Sequence, residues 1–518
     1  MPQPSKSPAQ RTDPAPRTPA NQSDNIPMLD VLIIGAGLGG IGAAAKMLAG
    51  GRDNIAVIEA ASDLGGVWRQ HRYPNVACDT PIDLYAYSFF PGNKWSTNFA
   101  PGDEILSYLH ELADRFGVSE KITFDTRIAS ADWNETEACW HLSSGDGQTW
   151  RCRTLIWSGG LFSQPSIPRI EGLDSFQGQS VHTSYWNDEI DLSGKTVALV
   201  GGGATSIQVV PHAAKQADKL LVFVRTPSYV MPRPDISFAD VDRNSEAFAR
   251  EQQARRKEWF DRFELIAKSR FPMNDAVIAE QEAVWRELFD EQVKDPEARE
   301  ILAPKYRFGC KRPLFSTDYY PAIERDNVTL IGRGVSGLSR DGIVDVEGDE
   351  YPVDVVIWAT GFEPANMMGN LTITGRDGRR LSDEWQEVPH AYFGTMVEGF
   401  PNFFMICGPN GGGASVTDMV ESQTGFILDA IARAESGGDE IVEVDKDAYR
   451  SFNEDIQARA DASVMVRGNC VSYYRVGGTG KVFTHWPDTI EAYRNRVRDE
   501  AIGGIRFRHP EPSKTVPA

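Results

Sequence analysis

Basic residues are too few in this chain to balance the acidic ones: 53 Lys and Arg stand against 73 Asp and Glu, a formal net charge of -20. So negative a surface repels nucleic acid and anionic lipid, which excludes both as partners, and any phosphate the protein binds must meet a local basic site. Cysteine is also scarce. The six, at 78, 139, 152, 310, 407 and 470, form no C-x-x-C and no dense cluster, so neither a disulfide framework nor a zinc ribbon is indicated. A reducing cytoplasm is the simple inference, and no metal site is expected. Long apolar runs are missing too. The one near residue 28 is broken by glycines and by Lys46, too soon to span a bilayer. Residues 1–27, rich in Pro, Ser, Gln, Arg and Asn, lack the apolar core of a signal peptide and read as a disordered leader.

What is present is an ordinary globular composition, 41% hydrophobic and 24% charged, over 518 residues. That length is too great for one core, so two or three domains are expected. The apolar run Leu29 to Ile34 ends in Gly35-Ala36-Gly37-Leu38-Gly39-Gly40 and continues into small, helix-forming residues. This pattern predicts strand, tight turn and helix. Gly35, Gly37 and Gly40 let the backbone approach a pyrophosphate, which the helix N-terminus attracts. A second strand, Ile55 to Ile58, ends at Glu59, 24 residues after Gly35, where an acid accepts hydrogen bonds from an adenosine ribose.

The arrangement repeats. Lys195 to Val200 leads into Gly201-Gly202-Gly203-Ala204-Thr205-Ser206, and the strand from Lys219 to Val224 ends at Arg225, again 24 residues on. Arg225, with the hydroxyl of Thr226, suits the 2′-phosphate of NADP, which an acid would repel. Ser206 stands in place of the third glycine and is expected to loosen the helix–strand contact slightly. A protein that holds two dinucleotides passes electrons between them.

Between the two loops lie Phe176, Gly178, His182 and Trp186, spaced F-x-G-x-x-x-H-x-x-x-W. This stretch resembles the fingerprint of type I Baeyer–Villiger monooxygenases, within the class B flavoprotein monooxygenases. Asn187 departs from the Pro or Asp that usually follows. The resemblance continues through Gly65-Gly66-Val67-Trp68, Arg72-Tyr73-Pro74 and Cys78-Asp79, then Cys310-Lys311-Arg312 and Ala359-Thr360-Gly361-Phe362. It implies FAD in the first unit, beside Gly66, Trp68 and Asp79, and NADP in the second. It also implies an active-site arginine at Arg312 held by Asp79, a 2′-phosphate contact at Lys311, and domain coupling through His182 and Trp186. Tyr473 or Tyr474 would belong to a loop bordering the substrate pocket.

The expected architecture is α/β, with two Rossmann-like dinucleotide-binding domains for FAD and NADP. The FAD domain covers 28–164 and 363–508, the NADP domain 165–233 and 305–362, with a helical insertion at 234–304 and a mobile tail at 509–518. In that insertion Phe260, Phe263, Leu265 and Ile266, then Val284, Trp285, Leu288 and Phe289, recur at helical spacing and are expected in the core. The implied reaction takes NADPH, O2 and a small-molecule ketone to an ester or lactone through a peroxide at flavin C4a. Arg312 would keep that peroxide anionic. Two alternatives remain: oxygenation of amine nitrogen or thioether sulfur by the neutral hydroperoxide, and a two-nucleotide reductase or redox sensor. A monomer or homodimer is expected.

Overall fold

The computed structural model describes residues 26–510. The leader and tail expected at 1–27 and 509–518 lie outside them, apart from Ile26, Pro27, His509 and Pro510. Met28–Ile34 runs through the middle of an eight-stranded sheet, parallel to Ile55–Ile58 on one side and to Thr149–Trp157 on the other. Its Val31, Leu32 and Ile33 have no exposed surface, as a strand covered on both faces requires. The chain returns to this sheet late: Phe403–Met405 pairs with Thr149–Trp157, and Thr372–Thr374 with Ile128–Asn134.

A second sheet has five strands, all parallel, in the order Val328–Ile331, Lys219–Phe223, Thr196–Val200, Val355–Trp358, Gln179–His182. Strand order reverses beside Thr196–Val200, so the second glycine loop opens at the carboxyl edge where a crevice forms. The two sheets are joined by two crossing segments that pair with each other. Pro165 bridges Phe362, the Ser166 N–H donates to the Gly361 carbonyl at 2.8 Å, and the Glu363 N–H to that of Gln164 at 2.9 Å.

The insertion forms the helices Glu246–Arg270, Asp275–Gln292 and Pro296–Leu302. Trp285 and Phe289 join the core of the second sheet, as their spacing predicts. The stripe in the first helix does not: Leu265 is 67% exposed, and Val284 in the second helix is 51% exposed. Charge holds the first helix instead. Arg255 pairs with the buried Asp83 at 2.7 Å and Arg256 with the buried Asp418 at 3.2 Å, both on the first domain. The insertion therefore touches both nucleotide units.

One sequence expectation is overturned outright. Cys310 and Cys470, 160 residues apart, form a disulfide. Spacing could not reveal it, because only the folding of the C-terminal segment onto the second domain brings the two together.

Candidate active site

A cavity of about 740 Å³ lies between the two units, walled by Trp68 and Asp79 from the first, by Gly201 to Thr205 from the second, and by Tyr473 from the C-terminal segment. On the first unit, Gly35 has φ +103, and a Cβ at Gly40 would stand 1.9 Å from the Gly35 carbonyl oxygen. That loop closes only with glycine at both positions. A Cβ at Gly66 would stand 3.0 Å from the Gly37 α-carbon, so the loop and the segment leading to Trp68 meet backbone to backbone. The helix that follows Gly37 has no side-chain cap, and its first N–H groups are free for a pyrophosphate. Glu59 accepts hydrogen bonds from the Ala36 N–H at 2.7 Å and the Ala61 N–H at 2.8 Å, which shapes the loop and leaves lone pairs for a ribose.

The second unit repeats the cradle. A Cβ at Gly201 would meet the Ala359 carbonyl oxygen at 2.3 Å, whereas one at Gly203 would meet nothing within 4 Å. Gly203 thus faces open space at an uncapped helix start. Ser206 does not loosen the helix–strand contact as expected. It is fully buried, and its hydroxyl donates to the Gly201 carbonyl at 2.8 Å, so it stitches loop to helix rather than loosening them and faces away from the cavity. Thr205 lines the cavity in its stead.

Arg225, Thr226 and Lys311 also line it. Burial, and then the charge of Arg225, lower the pKa of Lys311. Neither cation has an acidic partner among the described residues; Lys311 sits 5.2 Å from the centre of the Tyr306 ring. Two unneutralised cations side by side in so acidic a protein form a site for a dianion. The donor set fits a 2′-phosphorylated dinucleotide.

Arg312 and Asp79 form an ion pair across the cavity mouth, with 40% and 22% of their side chains exposed. Tyr473 stands beside the same guanidinium, edge to face with the Phe162 ring at 5.8 Å. Trp68 donates through its indole N–H to the Tyr85 hydroxyl at 2.9 Å, which fixes its ring at the cavity wall.

The fingerprint stretch is the edge strand of the second sheet and the turn after it. Phe176 is buried in that sheet's outer cluster, and a Cβ at Gly178 would lie 2.4 Å from the Asp354 carbonyl oxygen. His182 ends the strand, with burial lowering its pKa, and its ring lies 6.1 Å from that of Phe362 in the crossing segment. Trp186 is buried in the cluster that also takes in Tyr73 of the first unit.

A flavin-binding monooxygenase-like family profile matches residues 29–238. A Baeyer–Villiger monooxygenase of Pseudomonas aeruginosa is 34% identical over 90% of this chain and 89% of its own. The chain belongs to the flavin-binding monooxygenase family, on its Baeyer–Villiger branch. Among solved structures, a closed form of cyclohexanone monooxygenase superposes with TM-score 0.84 at 27% identity, over 93% of this chain and 99% of that one. An open form gives 0.79 at 27%, over the same shares. OTEMO in complex with FAD and NADP gives 0.82 at 27%, covering 92% and 99%. This monooxygenase thus has the two-nucleotide fold read from its loops.

Several residues of the monooxygenase's site carried no sequence signal. Gln208, in the helix after the second loop, accepts from the Tyr73 hydroxyl at 3.2 Å and donates to the Ala77 carbonyl at 3.0 Å, tying the two units together. A polar residue in a helix looks solvated until its neighbour from another domain is known. His71 packs against Phe362 at 5.5 Å, and burial followed by the neighbouring His182 brings its pKa down to about 4.

Proposed function

We propose that this monooxygenase is an FAD- and NADPH-dependent Baeyer–Villiger enzyme that converts a small-molecule ketone and O2 into an ester or lactone. The observation that carries the reading is the Arg312–Asp79 pair, set at a cavity bounded by both nucleotide loops and by Tyr473. The glycine loops and Trp68 would hold FAD, while Gly203, Arg225, Thr226 and Lys311 would hold NADPH. Bound FAD supplies electron storage and oxygen activation, with NADPH as the hydride donor.

The chain's own work is placement and field. Arg312 cannot readily lose its proton, so it holds negative charge where that charge develops without quenching it. A unit charge about 4 Å away at an effective dielectric of about 20 contributes on the order of 4 kcal/mol. Asp79 orients the guanidinium and balances it when no anion is present. Phe162, Phe362 and Tyr473 give the cavity an aromatic wall. The reaction belongs in the cytoplasm.

The test is product identification by gas chromatography and mass spectrometry, with labelled O2 and a panel of ketones and thioethers. Ester or lactone carrying one labelled oxygen is expected. Arg312→Ala is expected to lose ester formation by on the order of a thousandfold, matching about 4 kcal/mol, while NADPH oxidation with hydrogen peroxide release continues. An undiminished yield of ester from that variant would overturn the role of Arg312. Sulfoxide alone from the wild type would favour the hydroperoxide reading.

A further inference from the structure

The disulfide joins two parts of the active site. Cys310 immediately precedes Lys311 and Arg312, and Cys470 opens the loop whose Val471 to Tyr474 wall the cavity; their α-carbons lie 6.1 Å apart. The far end of that loop is tied down by hydrogen bonds. Asn410 Nδ2 donates to the His485 carbonyl at 3.0 Å, the Trp486 N–H to that of Gly412 at 2.8 Å, and Gln457 Nε2 to that of Val482 at 2.9 Å. The near end has the Arg307 N–H bond to the Gly468 carbonyl, at 2.9 Å, and the disulfide. Between these anchors Tyr474 is buried in a small cluster with Met465 and Val482, but nearer the disulfide Val471 is 58% and Tyr473 42% exposed, so little apolar burial holds that part of the wall. Tyr473 rests on Phe162, edge to face at 5.8 Å, beside Arg312.

We propose that the Cys310–Cys470 disulfide is a positioning cross-link of the active site. Oxidised, it holds the wall bearing Tyr473 against Arg312; reduced, it frees that wall, so the thiol state sets how well the cavity takes and encloses its ketone. Only the ketone in that statement rests on the function proposed above. Cutting the tether returns one end of the loop to a larger ensemble. Apparent ketone affinity then falls by the fraction of molecules whose loop is still in place. Arg312 keeps its partner Asp79 and the coenzyme cradle is untouched, so hydride transfer to flavin does not change.

Reduction needs a dithiol. Its thiolate attacks Cys470 Sγ, since Cys470 is 6% exposed and Cys310 wholly buried. The S–S bond breaks, and Cys310 leaves as a thiolate and takes up a proton. The second thiol then closes on the mixed disulfide and releases the Cys470 thiol. Two electrons and two protons pass to the protein, and the dithiol becomes its cyclic disulfide. A second cavity, of about 510 Å³, is lined by Tyr306, Arg307, Gly468 and Asn469, close in sequence to the two cysteines.

The test begins with holoenzyme purified without reductant, denatured and alkylated. Mass spectrometry should find four modified thiols of six, and all six after dithiol treatment. Native holoenzyme treated with dithiol should gain trypsin cleavage at Arg475 or Lys481. Its ketone KM and the share of NADPH lost to peroxide should rise roughly three- to tenfold, with the rate of flavin reduction by NADPH unchanged. Cys470→Ser should behave like reduced wild type and respond no further to dithiol. Six thiols modified without reductant would overturn the proposal. So would identical cleavage and KM in the two states, or an equal response of Cys470→Ser to dithiol. If no ketone yields ester in either state, the Baeyer–Villiger reading fails, while the thiol count and the cleavage at Arg475 and Lys481 still decide the cross-link.

Discussion

Single charges do most of the specifying here, and the surroundings of each show what it is for. Lys311 and Arg225 lack acidic partners among the described residues, and burial and then the charge of Arg225 lower the pKa of Lys311. Arg225→Ala is therefore expected to raise the KM for NADPH and leave that for NADH nearly unchanged, narrowing the preference by roughly ten- to a hundredfold. Steady-state rates with both coenzymes check this. The buried imidazoles work with the opposite sign. His71 is brought from 6.5 to about 4, and His485 to about 3, by burial first and then by neighbouring positive groups, Arg270 and Arg312 in the second case. The unfolded chain protonates both below about pH 6.5. Stability is thus fully present above that pH and falls as pH drops toward 4 and 3, because the unfolded state takes up the protons first. His71→Gln should flatten the fall of the holoenzyme's thermal midpoint between pH 6.5 and 4; parallel curves for variant and wild type would refute the assignment.

Among elements, the two glycine loops look alike in sequence, yet individual glycines answer to different demands. Gly40 is needed by the protein itself, because a methyl there would strike the Gly35 carbonyl oxygen at 1.9 Å and force helix from strand. Gly203 has empty space around it and an ordinary φ of -99°, so a methyl there disturbs only what lies in the cradle. Gly40→Ala should purify without its yellow absorbance or fail to accumulate. Gly203→Ala should keep its flavin and its thermal midpoint while binding NADPH more weakly. Loss of flavin from Gly203→Ala, or retention of full flavin by Gly40→Ala, would reverse this account.

Across the whole molecule, function depends on holding two nucleotide units at a distance that hydride can cross. Among the ties that do so are the paired crossing segments at Pro165 and Phe362, the Tyr73–Gln208–Ala77 link, and Trp186 buried beside the Tyr73 segment. Trp186→Ala removes packing from that seam without touching either cradle. Steady-state turnover should fall about tenfold or more, while binding of each nucleotide, measured by equilibrium titration, should hold. An equal loss of NADPH binding would make Trp186 a coenzyme contact instead.

The sequence by itself determined what depends on neighbours along the chain. A strand, a glycine turn and a helix are local, so both nucleotide units, Glu59 against Arg225, and the fingerprint from Phe176 to Trp186 were legible in order and spacing. Local spacing also carried the second insertion helix, where Trp285 and Phe289 do reach the core. It misled in the first insertion helix, because Arg255 and Arg256 find Asp83 and Asp418 only in three dimensions, and those ion pairs outrank a stripe of half-buried aromatics. Ser206 looked like a flaw in a motif until its hydroxyl met the Gly201 carbonyl. The pairing of Asp79 with Arg312, 233 residues apart, came only through the family resemblance; only the tertiary structure decided that Gln208 bridges the units and that Cys310 meets Cys470. Such contacts join residues whose separation along the chain is arbitrary, and the two sheets must pack before any of them exists.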